Sequence, residues 1–145
     1  MVKQHGVSLI ELLITIALLG LLAAKAVPLG RAWMANTNIT SAEKALIQAL
    51  GKARNEALQN PEGVIGADKP ASAIEVDNTD KVIIVKNGKT ETTIWEAKIP
   101  APVTISLSPT GCTTTLEFNN NGQNISTCTD YTISANGGTN ATAKL

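Results

Sequence analysis

A chain of 145 residues with 12 Lys and Arg against 12 Asp and Glu has room for one compact domain and an appendage, and no global field to draw nucleic acid or anionic lipid. Its one histidine, His5, sits beside the amino terminus, so the body of the chain lacks the usual neutral-pH acid/base group and the commonest metal ligand. No nucleophile-elbow, phosphate-loop, metal-ligand or paired-carboxylate motif is present, which argues against hydrolases and metalloenzymes; no cofactor or metal is expected.

From Val7 to Ala24 the sequence VSLIELLITIALLGLLAA is almost wholly apolar. At about 1.5 Å per residue, roughly 18 residues come close to a hydrocarbon core of about 30 Å. Three readings compete: a secretory signal, a single-pass anchor, and a filament-forming helix held in the membrane before assembly. Lys3 and the Ala24-Lys25-Ala26 site favour the first; Glu11 inside the run and the length of the run oppose it.

Glu11 is the informative residue, because an acidic side chain inside a bilayer costs about 2.5–3.5 kcal/mol on insertion scales. If the chain were cut after Gly6, the new α-amino group of Val7 would lie roughly 6 Å along the helix from Glu11, one turn away. An ammonium and a carboxylate then neutralise each other in a low-dielectric layer, within one chain or between neighbours. The alternative is a carboxyl kept protonated by desolvation, which needs no partner.

The string Gly6-Val7-Ser8-Leu9-Ile10-Glu11-Leu12-Leu13, with the apolar stretch and Ala26-Val27-Pro28 behind it, resembles the class III signal and helix of type IV pilins and type II secretion pseudopilins. The resemblance implies that a prepilin peptidase cleaves between Gly6 and Val7 and methylates the Val7 amine. It also implies that Glu11 is the family's acidic assembly residue, pairing with a neighbouring subunit's terminal amine. Two departures stand out: Val7 replaces the usual aromatic first residue, and Lys25 interrupts the apolar stretch near its end, where it can snorkel to the interface. Gly20 and Pro28, poor helix-interior residues, bracket a stretch that the resemblance implies loosens on assembly.

After Pro28 a second helical stretch is expected to about Asn60, with Leu46, Ala49, Leu50, Ala53, Ala57 and Leu58 forming an apolar face and Asn60-Pro61-Glu62-Gly63 the stop. Lys52, Arg54 and Glu56 read as its solvated face. The wording Ala53-Arg54-Asn55-Glu56-Ala57 resembles the helix end of the minor pilins and pseudopilins called FimT, FimU and GspH.

Beyond Gly63 the periodicity turns strand-like. Lys81 to Lys86 and Thr90 to Trp95 around Asn87-Gly88 predict a β-hairpin with a type I′ turn. Further strands are expected at Val103 to Leu107, Thr113 to Phe118 and Tyr131 to Ser134, with Trp95, Phe118 and Tyr131 as core or cross-strand residues. Cys112 and Cys128, lacking CxxC spacing and neighbouring histidines, point to a disulfide in an oxidising compartment more than to a zinc site, with two buried thiols as the alternative. The Asn38, Asn124 and Asn140 glycosylation patterns are expected by chance in so Asn- and Thr-rich a chain.

The expected architecture is α+β and pilin-like: a leader over 1–6, a transmembrane and filament-core helix over 7–28, and a periplasmic head over 29–145. Within that head an amphipathic helix at 29–60 packs on an antiparallel sheet at 73–135. The resemblance implies a minor pilin of a type IV pilus, with other pilin or pseudopilin subunits, the prepilin peptidase and the inner membrane as partners. A type II secretion pseudopilin is the alternative, and a DNA-binding minor pilin a further one resting on the modest patch of Lys81, Lys86 and Lys89. A soluble protein released after Ala26 is the remaining rival.

Overall fold

Leu, Ile and Ala dominate the first half of the chain, and the helix they favour runs without interruption as α1, Leu9–Gln59, in a computed structural model that describes residue 6, residues 8–109, residue 112 and residues 114–145. Ser8, extended at φ −77° and ψ 146°, is the N-cap, and its carbonyl accepts the amides of Glu11 at 3.0 Å and Leu12 at 3.1 Å. Pro28 lies inside this helix, which runs through it as the one long amino-terminal helix expected, its first half apolar and its second half packed on the head. A proline removes a single amide bond and crowds one carbonyl; good helix formers on both sides carry the helix through.

The helix stops where expected. Asn60 takes the left-handed conformation at φ 43°, its amide still reaching the Glu56 carbonyl at 2.9 Å. Its side chain then clamps the exit, accepting from the Val64 amide at 2.7 Å and donating to the Val64 carbonyl at 2.9 Å.

Seven strands follow: β1 Ser72–Asp77, β2 Val82–Asn87, β3 Thr93–Lys98, β4 Val103–Ser108, β5 Thr115–Phe118, β6 Asp130–Ala135 and β7 Ala141–Lys144. They form two antiparallel sheets, of order β3-β2-β1-β5 and β4-β6-β7, against the carboxy-terminal half of α1. The expected single sheet over 73–135 is thus two, and β7 carries strand structure beyond its expected end. Asn78 joins them, its amide pairing with both the N–H and C=O of Ile105 at 2.9 and 2.7 Å.

Leu46, Ala49, Leu50, Ala53 and Ala57 are buried against Ile74, Ile83, Val85, Leu116, Phe118 and Ile133. Alanines on the helix face let the sheets approach closely, and the β-branched residues of the strands fill the space. Leu58, expected in that face, is instead 61% exposed and rests against Gly122. Phe118 and Tyr131 are core residues; Trp95 is half-buried, with the Lys52 ammonium 5.9 Å above its ring. Tyr131 donates to the Glu43 carboxylate at 3.2 Å, and burial, with that carboxylate beside it, pushes the phenol up, so it stays a neutral donor.

The β2–β3 hairpin forms, but not on a two-residue Asn-Gly turn. β2 continues through Asn87, residues 88–92 make the loop, and Glu91 takes the positive φ. The Asn87 carboxamide organises this longer loop by accepting from the amides of Lys89 and Thr90 at 3.1 and 3.0 Å. Gly88 serves close approach: its amide donates to Ala71 at 3.0 Å, and its Cα lies against the Pro70–Ala71 backbone.

A second polar organiser is the buried Asn119. It accepts from the amides of Asn121 and Gln123, both at 3.0 Å, and donates to the Ala67 carbonyl at 3.1 Å, tying the loop after β5 to the one after α1. Asn119→Ala would strip three partners of their bonds in a dry site, and is expected to lower head stability by about 2–3 kcal/mol in a urea titration.

Candidate functional site

Among the described residues, the amino-terminal part of α1 is not buried against any other element. Leu9, Ile10, Leu12, Leu13, Ile14, Ile16, Leu18, Leu19, Leu21 and Leu22 are all more than half exposed, and the most apolar 18-residue window of the helix has no buried residue. By length and composition this helix is able to cross a membrane. A continuous apolar surface of this size on an isolated chain calls for another environment, lipid or protein.

Glu11 interrupts that surface one turn into the helix and faces outward. The positive end of the helix dipole favours a carboxylate there by a fraction of a kcal/mol, which is less than the cost of immersing that charge in hydrocarbon.

Gly6 is exposed, and a side chain added there would meet nothing within 4 Å among the described residues. Val7, the expected cleavage and methylation residue, lies outside the described residues, as does His5. Gly20 sits on the exposed helix with open space around it, and Pro28 lies eight residues further along the same uninterrupted helix.

Cys112 and Cys128 are bonded to each other, 5.3 Å apart at Cα and 16 residues apart in sequence. The bond closes the loop that carries β5 and Asn119. Reduction would free that loop only in the unfolded chain, so a Cys112→Ser/Cys128→Ser variant is expected to lose about 2–4 kcal/mol while keeping the same sheets, as read by chemical denaturation and circular dichroism.

The three hairpin lysines do not gather into a free basic patch. Lys81 donates to the Val103 carbonyl at 2.7 Å, and Lys86 pairs with Glu75, which with Glu91 nearby holds the ammonium above its usual range. Glu75 offsets the charge of Lys86 and a backbone carbonyl ties down the Lys81 ammonium, so the three do not form an unopposed basic cluster of the kind phosphate binding uses. Among the described residues no group of three or more His, Cys, Asp or Glu is placed to hold a metal ion.

One feature went unread in the sequence. The exposed apolar surface does not end at Pro28 but continues through Leu29, Trp33 and Met34, at 73%, 71% and 61% exposure. The signal was present in Leu29-Gly30-Arg31-Ala32-Trp33-Met34, where large apolar residues persist past the nominal end of the span.

Residues 1–24 match the prokaryotic N-terminal methylation motif. The chain is 29% identical over 98 residues to a "Fimbrial protein" of Pseudomonas aeruginosa, covering 68% of this chain and 64% of that one. It is 30% identical over 91 residues to another fimbrial protein of the same organism, covering 63% and 59%. The chain thus spans a little under two thirds of the length of these relatives. No solved structure matches it.

Proposed function

We propose that this chain is a type IV pilin-like protein that serves as a minor pilin, a structural subunit and not an enzyme; the amino-terminal methylation motif, the similarity to fimbrial proteins and the architecture of one long helix on antiparallel sheets support the reading. Its work is to enter a pilus and help start or extend it. The observation that carries the reading is Glu11, a single carboxylate in the first turn of an apolar helix that its own head leaves uncovered.

In this reading the prepilin peptidase cuts between Gly6 and Val7 and methylates the Val7 amine. The helix over 7–28 holds the subunit in the inner membrane as a single pass, with the head in the periplasm. On assembly the Val7 ammonium of one subunit answers the Glu11 carboxylate of another as lipid is exchanged for packed helices. The stretch from Gly20 to Pro28 loosens at that step, since it combines the residue of greatest backbone freedom with one that lacks an amide hydrogen bond.

The Cys112–Cys128 bond supports a pilus over a type II secretion pseudopilin, because it places an oxidised loop in the head in the manner of pilins. Two sheared fractions decide the function. Antibody against the head is expected to find a small amount of the chain in filaments sheared from cells, and deleting its gene to lower filament number. A chain absent from sheared filaments, with normal filament number in the deletion strain, would remove the proposal.

A further inference from the structure

We propose that Trp33 is an interfacial anchor that sets the standing height of the head on a phospholipid bilayer before assembly. This rests on the membrane-anchoring reading of α1 and adds a lipid contact outside the span itself.

The argument is one of depth. With Leu9 at one edge of a hydrocarbon core about 30 Å thick, a rise of about 1.5 Å per residue puts the far edge near Leu29. Trp33 then stands roughly 6 Å beyond it, in the headgroup layer. An indole, with a broad apolar body and one N–H donor, suits that layer better than either bulk water or hydrocarbon.

Trp33 is free to enter it. The ring is 71% exposed, with Leu29, at 73%, one turn below on the same side of the helix. Arg31, exposed between them in sequence, supplies a guanidinium at the depth of the lipid phosphates, and Lys25 lies about 6 Å inside the edge, within snorkelling reach of the same layer. That charge complementarity is what favours lipid over a second copy's apolar helix as the occupant.

The head begins directly above. Ala35 is buried against the β6–β7 turn, where a side chain on Gly138 would come within 3.1 Å of it, and the Thr139 amide donates to Asn36 at 2.8 Å. The indole and this turn are therefore less than one helical turn apart along α1, so a Trp33 fixed in the headgroups holds the underside of the head at the membrane surface.

The test uses the full chain carrying Trp95→Phe, which leaves Trp33 as its one tryptophan, in vesicles of phosphatidylcholine and phosphatidylglycerol at low protein density. Acyl chains brominated near the glycerol end are expected to quench Trp33 several-fold more than chains brominated near the terminal methyl. Equal or stronger quenching by the deep bromines would put the indole in the core and overturn the proposal. A companion chain with Leu18→Trp, Trp33→Phe and Trp95→Phe reports on the span. Quenching there by deep bromines with none at Trp33 would leave the membrane span standing and overturn the interfacial role of Trp33, whereas quenching at neither position would withdraw the membrane reading itself.

Discussion

Glu11→Ala is expected to fold its head like the wild type and yet to fall out of assembled filaments. The side chain makes no contact with the head, and the helix around it is exposed over its whole circumference, so head stability has no stake in it. In the packed filament core the neighbour's Val7 ammonium would be left without a counter-charge, a cost of about 3–5 kcal/mol for one uncompensated buried ion. At about 1.4 kcal/mol per decade this lowers the assembly equilibrium by roughly two to four orders of magnitude. Quantitative immunoblotting of sheared filaments, with circular dichroism of the full-length variant as the folding control, measures both halves. Wild-type incorporation of the Ala variant would contradict the pairing argument.

Gly88→Ala is expected to have the largest effect on the head of any single methyl. A Cβ there would lie 2.0 Å from the Pro70 carbonyl oxygen and 2.7 Å from the Ala71 carbonyl carbon, both backbone atoms without a rotamer to yield. The strand end must separate from the segment entering β1, and the Gly88–Ala71 hydrogen bond at 3.0 Å goes with it. A loss of about 2–4 kcal/mol follows from overpacking plus that bond. Gly63→Ala provides the contrast: it has open space but a φ of 62°, so it incurs backbone strain alone, about 1 kcal/mol. Thermal denaturation of the two variants side by side should rank them in that order, and equal stabilities would refute the close-approach account.

The long helix was legible because its signals are local. The apolar run, the three- and four-residue recurrence from Leu46 to Ala57, and the Asn60-Pro61-Glu62-Gly63 stop each need only neighbouring residues to be read. Strands β2, β4, β5 and β6 announced themselves through β-branched alternation. β7 could not, since Ala141-Thr142-Ala143-Lys144 contains no large apolar residue and is a strand only because β6 offers an edge. β1 carried a readable alternation in Ser72, Ile74 and Val76, all buried, which the nearby prolines and glycines obscured.

The division into two sheets depends on the pairing of β1 with β5 and of β4 with β6, both long-range choices that local pattern does not encode. The Asn-Gly pair was read for its turn preference, but a tertiary contact, the Pro70–Ala71 backbone, claimed the glycine instead. The lysine patch failed for the same reason: Val103 and Glu75, remote in sequence, take up two of its members. At the candidate site Glu11 was legible at once, because one charge in an oily run is conspicuous. Trp33 was not, because Pro28, Gly30 and Arg31 break the apolar run before it and leave it as an isolated aromatic in the sequence.

The most direct measurement is the intact mass and terminal sequence of the chain purified from membranes, with and without an active prepilin peptidase. The expected result is a mature chain that begins at Val7 and carries one added methyl group, and a form that keeps the residues before Val7 when the peptidase is inactive. A membrane form that keeps its first six residues in the presence of the peptidase, or a soluble form beginning at Val27, would contradict it.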